Sequence, residues 1–323
     1  MNYDICTDAV RWDAFVEASP HGNVFCSTKF LNALPVKYEL ATMLHNEEIV
    51  LGAIILISSS DLMKAPFPMT TYQGVLCCRD YQEMPYHRRS KWLVTNLTNL
   101  LVELEQRFPN FSFCLSPSFD DVRAFQWLNY HEPHKGICTV TVRYTGILDL
   151  QKTPDFERYL SEIRSVRRQE YQKSLADGYH VRSVQDIELL NYLHRLTFER
   201  QGLVRTDDEE RLLLSISRAA LEKGYGEMLV CCDKHGNPAS ATLFLYDQRF
   251  GYYLVGANSP DHRKSGSGTL LLLENIKRCF ERKLIGVDFV GINSPDRGDF
   301  KTSFNAQPSP YFVVSFEKSV SML

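Results

Sequence analysis

The sequence lacks the patterns that mark membrane-spanning, zinc-binding and nucleic-acid-coating proteins. Its most apolar run, Ile49 to Ile57, is far too short to cross a bilayer as a helix. Its net charge of −3 gives no overall positive field for DNA or RNA. Its nine cysteines include no C-x-x-C pair and no Cys/His spacing typical of zinc. These absences favour a globular protein with reduced thiols that enters no membrane and binds no DNA.

Targeting segments and common enzyme motifs are missing as well. The first fifteen residues include four charged side chains and no apolar core, so they do not resemble a signal peptide, and we expect a cytoplasmic protein. The sequence contains no G-x-S-x-G motif and no P-loop. His131 and His134 are close together, but Pro133 prevents the regular helix that would align them on a metal ion. We therefore predict no bound metal.

The 323 residues suffice for two domains, and the order of the predicted elements repeats. In each half, a hairpin precedes a third strand, a long amphipathic helix, another strand and a Ser-Pro dipeptide. Pro117 and Pro295 occupy matching places, 295 − 117 = 178 positions apart. The pattern predicts an α/β fold with mixed sheets, made by duplication of one unit. We place the two domains at residues 1–148 and 149–323.

The long helices of the two halves differ in how they begin. The first is predicted over Arg89 to Phe108, after a strand over Tyr72 to Cys78, and the residues at its start, Tyr86 to Ser90, include no glycine. The second is predicted over Thr269 to Arg282, and a polar loop is expected to follow Pro295. Only the second helix follows a glycine-rich turn, so only the second half has a turn suited to phosphate.

This glycine-rich turn follows a strand that we predict from Phe250 to Val255. Its residues are Arg263, Lys264, Ser265, Gly266, Ser267 and Gly268. The start of a helix presents unpaired N–H groups and the positive end of the helix dipole, and therefore suits a phosphate or pyrophosphate. Glycine permits close approach of the backbone and positive φ, and Arg263 can add charge-assisted hydrogen bonds. An ordinary glycine-serine turn before a helix would have the same sequence.

The spacing R-x-x-G-x-G resembles the pyrophosphate loop of the GNAT acyltransferases, which hold acyl-coenzyme A there. Three further features resemble the FemAB-like branch of this superfamily: the tandem halves, the segment Val287 to Gly291, and the F-K-x-x-F ending from Phe300 to Phe304. The resemblance covers nearly the whole chain. It implies two tandem GNAT-like domains with a cleft between them, and transfer of an acyl or aminoacyl group to an amine bound in that cleft.

The resemblance leaves the donor open. Fem ligases take amino acids from aminoacyl-tRNA and add them to a peptidoglycan precursor. Many of them carry a helical-hairpin insertion, for which this sequence has no evident candidate, and their phosphate loop usually departs from R-x-x-G-x-G. We therefore predict acyl-CoA, such as acetyl-CoA, as co-substrate and a small-molecule or precursor amine as acceptor. An aminoacyl-tRNA-dependent ligase and a catalytically silent GNAT-like binding module are the alternatives.

The basic residues Arg164, Arg167 and Arg168 lie together on a predicted helix. They suit a nucleotide phosphate or RNA, but they also suit a helix face exposed to solvent. The tRNA partner therefore remains an alternative at this stage. The sequence gives neither the acceptor nor the oligomeric state.

Three side chains are candidates for the chemistry. Lys301 lies near where many GNAT enzymes have the tyrosine that protonates the leaving thiolate; it is a candidate phosphate contact, electrostatic stabiliser or acid, or else an exposed loop lysine. Asp288 lies in an apolar strand, where a carboxylate is costly unless paired, so it is a candidate base or ion-pair partner of Lys301. Glu199 is a further candidate base.

Acyl transfer also needs hydrogen-bond donors for the oxyanion. In a GNAT-like site, the resemblance implies that backbone N–H groups near Val255 and Gly256 polarise the thioester carbonyl. Tyr253 is adjacent to them in sequence, and we expect it to pack in the core rather than to face a ligand.

Overall fold

The computed structural model describes residues 1–57 and 65–318, which form two compact units. Unit 1 comprises Met1–Arg143 and the segment that starts at Pro310, and unit 2 comprises Tyr144–Ser309. These units differ from the predicted division after residue 148, because the last strand of the chain returns to unit 1. The reason is hydrogen bonding, since this strand pairs with a strand of the first half.

Unit 1 contains four helices and six strands of the first half among its described residues, and the last of these strands continues into unit 2. In chain order they are β1 (Asn2–Ile5), α1 (Ala9–Ala18), α2 (Thr28–Leu31), β2 (Lys37–His45), β3 (Glu48–Ile57), β4 (Leu76–Cys77), α3 (Tyr86–Arg107), β5 (Asn110–Cys114), α4 (Arg123–Trp127) and β6 (Ile137–Asp149).

Unit 2 continues from the end of β6 to the start of the chain's last strand. Its elements are α5 (Phe156–Glu162), α6 (Ser165–Ala176), β7 (His180–Ser183), α7 (Ile187–Glu199), α8 (Asp207–Glu222), β8 (Gly226–Cys232), β9 (Pro238–Tyr246), β10 (Phe250–Asn258), α9 (Ser267–Glu281), β11 (Gly286–Asp288), α10 (Pro295–Thr302) and the beginning of β12 (Gln307–Glu317).

In unit 1, strands β1 to β4 form an antiparallel sheet in the order β1-β2-β3-β4, and β5 pairs with β12. The long helix α3 packs on this sheet because one of its faces is apolar at helical spacing. The buried residues of that face include Leu93, Leu97, Leu100, Leu101 and Leu104. Burying each leucine stabilises the fold by roughly 1.5–3 kcal/mol, so this face holds the helix against the core.

In unit 2, the strands follow the order β6-β11-β10-β9-β8-β7. All neighbours are antiparallel except β10 and β11, which run parallel because α9 connects them. Helix α9 buries its apolar face, including Leu272, Leu273 and Ile276. The mixed α/β fold with two sheets is therefore as predicted, and both units show the predicted order of hairpin, third strand, long helix and strand. A short helix, which was not predicted, follows in each unit.

Two predicted elements were wrong. The strand predicted over Tyr72 to Cys78 forms only at Leu76–Cys77, because Tyr72 has a φ of +59° and its buried carbonyl accepts hydrogen bonds from loop side chains. The polar loop predicted after Pro295 is helix α10 instead. Proline at the first helical position is pre-organised for a helix, and the sequence signal was therefore present.

Candidate functional site in unit 2

The edge of strand β10 is open over its second half. β10 pairs with β11 only from Phe250 to Tyr252, whereas its pairing with β9 continues to Asn258 across a bulge between Tyr253 and Val255. Alternate backbone groups of this stretch point away from β9, where no described strand meets them. The predicted residues Val255 and Gly256 lie in this open stretch, so a carbonyl oxygen of a ligand can reach their main chain.

Helix α9 begins directly beyond this open edge. Gly266 is its N-cap residue with a φ of +81°, which glycine adopts without strain. A Cβ atom on Gly268 would lie 2.8 Å from Oδ1 of Asn258, so the helix start abuts the last residue of β10. Arg263 and Lys264 are both exposed on the turn before the helix. A cationic turn and a helix start therefore adjoin the open strand edge.

Helix α6 and the turn itself already cover part of the helix start. Ser265 Oγ accepts a hydrogen bond from the N–H of Ser267 at 3.1 Å, and Ser174 donates its hydroxyl to the Ser265 carbonyl at 2.7 Å. Thr269 donates its hydroxyl to the Glu170 carboxylate at 2.6 Å. A ligand diphosphate would therefore share this helix end with a carboxylate of the protein.

Lys301 lies on α10 and directs its ammonium at the loop after β11. Its Nζ donates to the carbonyl oxygens of Phe289 at 2.5 Å and Gly291 at 2.8 Å, with the Val290 carbonyl at 3.4 Å. Burial lowers the pKa of Lys301 to about 8, while the charge of Asp288 opposes this shift and the charge of Arg297 adds to it. The ammonium group thus donates its hydrogen bonds to main-chain carbonyls and does not point into solvent.

Asp288 fixes the same loop from the strand side. It is only 2% exposed, and its Oδ1 accepts hydrogen bonds from the Thr145 hydroxyl at 2.5 Å and the Val290 N–H at 2.7 Å. Val290 has a φ of +51°, which is a strained conformation for a β-branched residue. Asp288 and Lys301 therefore lie on either side of a strained loop and hold it in place.

Tyr253 carries the hydroxyl at the open edge of β10. A Cβ atom on Gly256 would lie 1.8 Å from this hydroxyl, so any larger residue at position 256 would clash with the tyrosine. The Tyr253 ring stacks on Phe244 at 5.5 Å, and Nζ of Lys301 lies 5.6 Å from its centroid. Burial raises the pKa of Tyr253 to about 12, so its hydroxyl stays protonated at neutral pH. The sequence predicts core packing for this residue; in the structure, its hydroxyl also has no hydrogen-bond partner among the described residues.

Sequence reasoning did not single out Arg297 or His194. The charge of Arg297 lowers the pKa values of Tyr253, Lys301 and His194, which places this exposed arginine near all three. Burial, together with the charges of Arg205 and Arg297, lowers the pKa of His194 to about 4, so its ring is neutral at neutral pH. His194 is a lone histidine on an amphipathic helix, and Arg297 lies in a polar stretch. Neither residue belongs to a sequence motif that would mark it as functional.

Two other predicted groups lie in different surroundings. Glu199, at the end of α7, is exposed and faces Arg195 of the same helix at 3.9 Å. The arginines of α6 are used within the protein: Arg164 binds Asp299 at 2.9 Å, and Arg168 donates to the carbonyls of Ser161 and Ile163. These arginines therefore bind groups of the protein itself, as expected if they stabilise the fold.

Arg167 joins the helix start of α9 to α10. Its guanidinium binds Glu170 at 2.7 Å, donates to the Ser303 hydroxyl at 2.7 Å and lies 4.7 Å from the ring centroid of Phe300. The carboxylate at the α9 start is thus neutralised by an arginine that is itself fixed by two helices.

Over the described ranges, no group of three or more His, Cys, Asp and Glu side chains is arranged to bind a metal, and no helix is long and apolar enough to span a bilayer.

Comparison with known proteins gives one family match and several structural matches. Residues 160–302 match the family model described as acetyltransferase (GNAT) domain. No curated protein sequence matches this chain. FemX superposes with a TM-score of 0.70 at 15% identity, covering 97% of this chain and 97% of FemX.

Two further structures share the fold of the whole chain. A tandem GNAT protein from the clavulanic acid biosynthesis pathway has a TM-score of 0.57 at 11% identity, covering 100% of this chain and 99% of that protein. L-PGS from Bacillus licheniformis has a TM-score of 0.54 at 11% identity, covering 98% of this chain and 93% of that protein. Residues 160–302 therefore match a GNAT acetyltransferase domain, and the chain as a whole has the fold seen in FemX and in the tandem GNAT protein.

Proposed function

We propose that unit 2 transfers an acyl group from acyl-CoA to an amine. The observation that carries this proposal is the open half of β10, which ends at a glycine-initiated helix beside two exposed cations. The thioester carbonyl would bind the main chain near Val255 and Gly256. The diphosphate would bind the remaining N–H groups of the α9 start, with Arg263 and Lys264 on its outer side.

In this reaction, the neutral amine attacks the thioester carbonyl carbon. The C–N bond forms, the C–S bond breaks, and the Tyr253 hydroxyl donates its proton to the departing thiolate. The new ammonium centre loses a proton to solvent, and the Tyr253 phenolate takes one back from solvent, which restores the enzyme. The Tyr253 hydroxyl is protonated at neutral pH, which a proton donor requires. We assign Lys301 and Asp288 to positioning the loop after β11, because their polar atoms contact that loop.

A second candidate is transfer from an aminoacyl-tRNA, and Glu170 is the observation that favours it. The Glu170 carboxylate, which accepts a hydrogen bond from the Thr269 hydroxyl, places a negative charge at the helix end that a diphosphate would use. An aminoacyl ester brings no diphosphate to this point, so the carboxylate would not compete with it. The fit of the reacting carbonyl along β10 is the same for both donors.

The donor is tested by charge reversal at the turn. The double variant Arg263→Glu/Lys264→Glu is expected to weaken acetyl-CoA binding about 10- to 100-fold, because two cations near a diphosphate become anions. Isothermal titration of acetyl-CoA measures this change. Lys223→Glu, at the exposed end of α8, is the matched control and should keep the wild-type affinity. Saturable binding of an aminoacyl-tRNA with none of acetyl-CoA would establish the second candidate instead.

The role of Tyr253 is tested by deleting its hydroxyl. Tyr253→Phe keeps the ring that stacks on Phe244, so donor affinity should stay within about twofold while turnover falls about 10²-fold. Release of free thiol from acetyl-CoA in the presence of a panel of primary amines measures turnover. Wild-type turnover in this variant would assign the proton donation to another group.

A further inference from the structure

Unit 1 contains a cavity of its own, with a volume of about 260 Å³, at the start of α3. It lies just below the range of roughly 300–1,000 Å³ that is common for drug-sized ligands, so its size suits a smaller molecule. The lining residues that matter for its charge are Tyr81, Tyr86, Arg89, Asp120, Asp121 and Arg123. They come from the segment before α3, from α3 itself and from the segment that leads into α4.

Two of the four charges in this lining neutralise each other. Arg123 donates from Nε to Oδ1 of Asp121 at 2.9 Å and from Nη2 to Oδ2 at 2.6 Å. Arg123 also donates to the Ser90 hydroxyl at 2.5 Å. The Arg123–Asp121 pair therefore forms part of the cavity wall and contributes no net charge to it.

The other two charges, on Arg89 and Asp120, are available to a ligand. The guanidinium carbon of Arg89 lies 5.6 Å from the ring centroid of Tyr81 and 5.8 Å from that of Tyr86, so two rings orient it. Over residues 1–57 and 65–318, the side chains of Arg89 and Asp120 form no ion pair or hydrogen bond with a protein group. Both act on the Tyr81 phenol, whose pKa is raised chiefly by burial and also by Asp120, against the opposing effect of Arg89. The two opposite charges therefore flank one buried tyrosine.

We propose that this cavity binds a free α-amino acid, with its carboxylate on Arg89 and its ammonium on Asp120. Two unpaired charges of opposite sign match a zwitterion, whereas an anion alone would leave Asp120 uncompensated beside it. The planar guanidinium suits a carboxylate in two-point contact. Tyr81 and Tyr86 restrict the position of that guanidinium, and the small volume limits the ligand to a single residue.

Titration of the full-length protein with the twenty free amino acids tests this proposal. Acetate, methylamine and inorganic phosphate are the comparison ligands, because each carries charge of one sign only. At least one amino acid should bind saturably and at least tenfold more tightly than each of the three probes. Arg89→Met, which keeps an apolar stem between the rings, and Asp120→Asn should each weaken that binding at least tenfold. Lys91→Met, which removes an exposed cation of α3 outside the lining, should leave it unchanged.

Arg89→Lys serves as a second variant if Arg89→Met does not fold, since it keeps the charge and should retain part of the affinity. The proposal is overturned if no amino acid binds saturably. It is also overturned if phosphate binds as tightly as the best amino acid and Asp120→Asn leaves that binding unchanged, since the cavity would then be an anion site. The acetyl-CoA titrations of unit 2 are a separate measurement, so failure here does not affect the proposed transferase function.

Discussion

Lys301→Met is expected to destabilise the protein by about 2–4 kcal/mol, because main-chain carbonyls lose their hydrogen-bond donor and buried Asp288 loses a nearby positive charge. Asp288 is buried, and the carbonyls of Phe289 and Gly291 accept hydrogen bonds from Nζ in the native structure. Without these bonds, the strained backbone at Val290 loses one of its two supports. Urea-induced unfolding of the full chain measures the change in the free energy of unfolding.

Lys173→Met is the control, because Lys173 is an exposed lysine on a helix of the same unit. Its free energy of unfolding should remain within about 0.5 kcal/mol of the wild-type value. If Lys301→Met were equally mild, the ammonium would not support the loop, and Lys301 would be free to contact a ligand instead.

The same lysine gives a pH dependence with a defined sign. Its pKa is about 8 in the folded protein, against 10.5 for an ordinary lysine. Between these values the unfolded chain holds a proton that the native chain has released, so the contribution of Lys301 to stability rises with pH. The gain is complete above pH 10.5, decreases as the pH falls from 10.5 to 8, and is absent below about pH 8. Buried cysteines with raised pKa values titrate in the same range, so the slope is measured as a difference between the two proteins. From pH 7 to 10.5, the free energy of unfolding of the wild type minus that of Lys301→Met should rise.

Gly266→Ala is expected to destabilise the protein by about 2–4 kcal/mol, because two effects add. A side chain at a φ of +81° costs about 1–2 kcal/mol, and overpacking typically costs about 1–3 kcal/mol more. The new Cβ atom would lie 2.6 Å from Ser174 Oγ and 2.8 Å from the Glu170 carbonyl oxygen, and the latter belongs to the backbone of α6. Thermal and urea unfolding measure the loss.

Gly268→Ala is the matched control, since it makes the same chemical change two residues later. Its Cβ atom would meet only the Asn258 side chain, at 2.8 Å, and alanine is favoured over glycine inside a helix by about 1 kcal/mol. We expect its stability to stay within about 1 kcal/mol of the wild type and its acetyl-CoA affinity to fall. Equal stability of the two variants would show that Gly266 is not held against α6. Larger substitutions at Gly266 would confound binding with folding.

The Gly266 site shows what a motif can and cannot predict. The sequence correctly predicted a glycine-initiated helix after a strand, because a glycine turn followed by apolar residues at helical spacing is typical of a helix start. The contacts of Gly266 with Glu170 and Ser174 were invisible in the motif, since those residues lie almost a hundred positions away. The glycine is required by helix packing whether or not an anion binds there.

Lys301 and Tyr253 show the same limit for side chains. The F-K-x-x-F ending and the apolar strand around Asp288 singled out two residues that do lie beside one loop. Asp288 and Lys301 form their hydrogen bonds with that loop. The hydroxyl without a hydrogen-bond partner among the described residues is that of Tyr253, for which the sequence predicts core packing. Which face of a strand is open depends on where its neighbour stops pairing, and the sequence does not specify that point.

The sequence alone determined the element order, the two long apolar helices and the glycine turn, because helical spacing and turn chemistry are local properties of the chain. Tertiary structure decided that β12 returns to unit 1, that β10 and β11 separate after Tyr252, and that Glu170 meets the start of α9. Each of these features depends on hydrogen bonds or packing between segments far apart in sequence. Their partners are selected by the fold as a whole rather than by neighbouring residues.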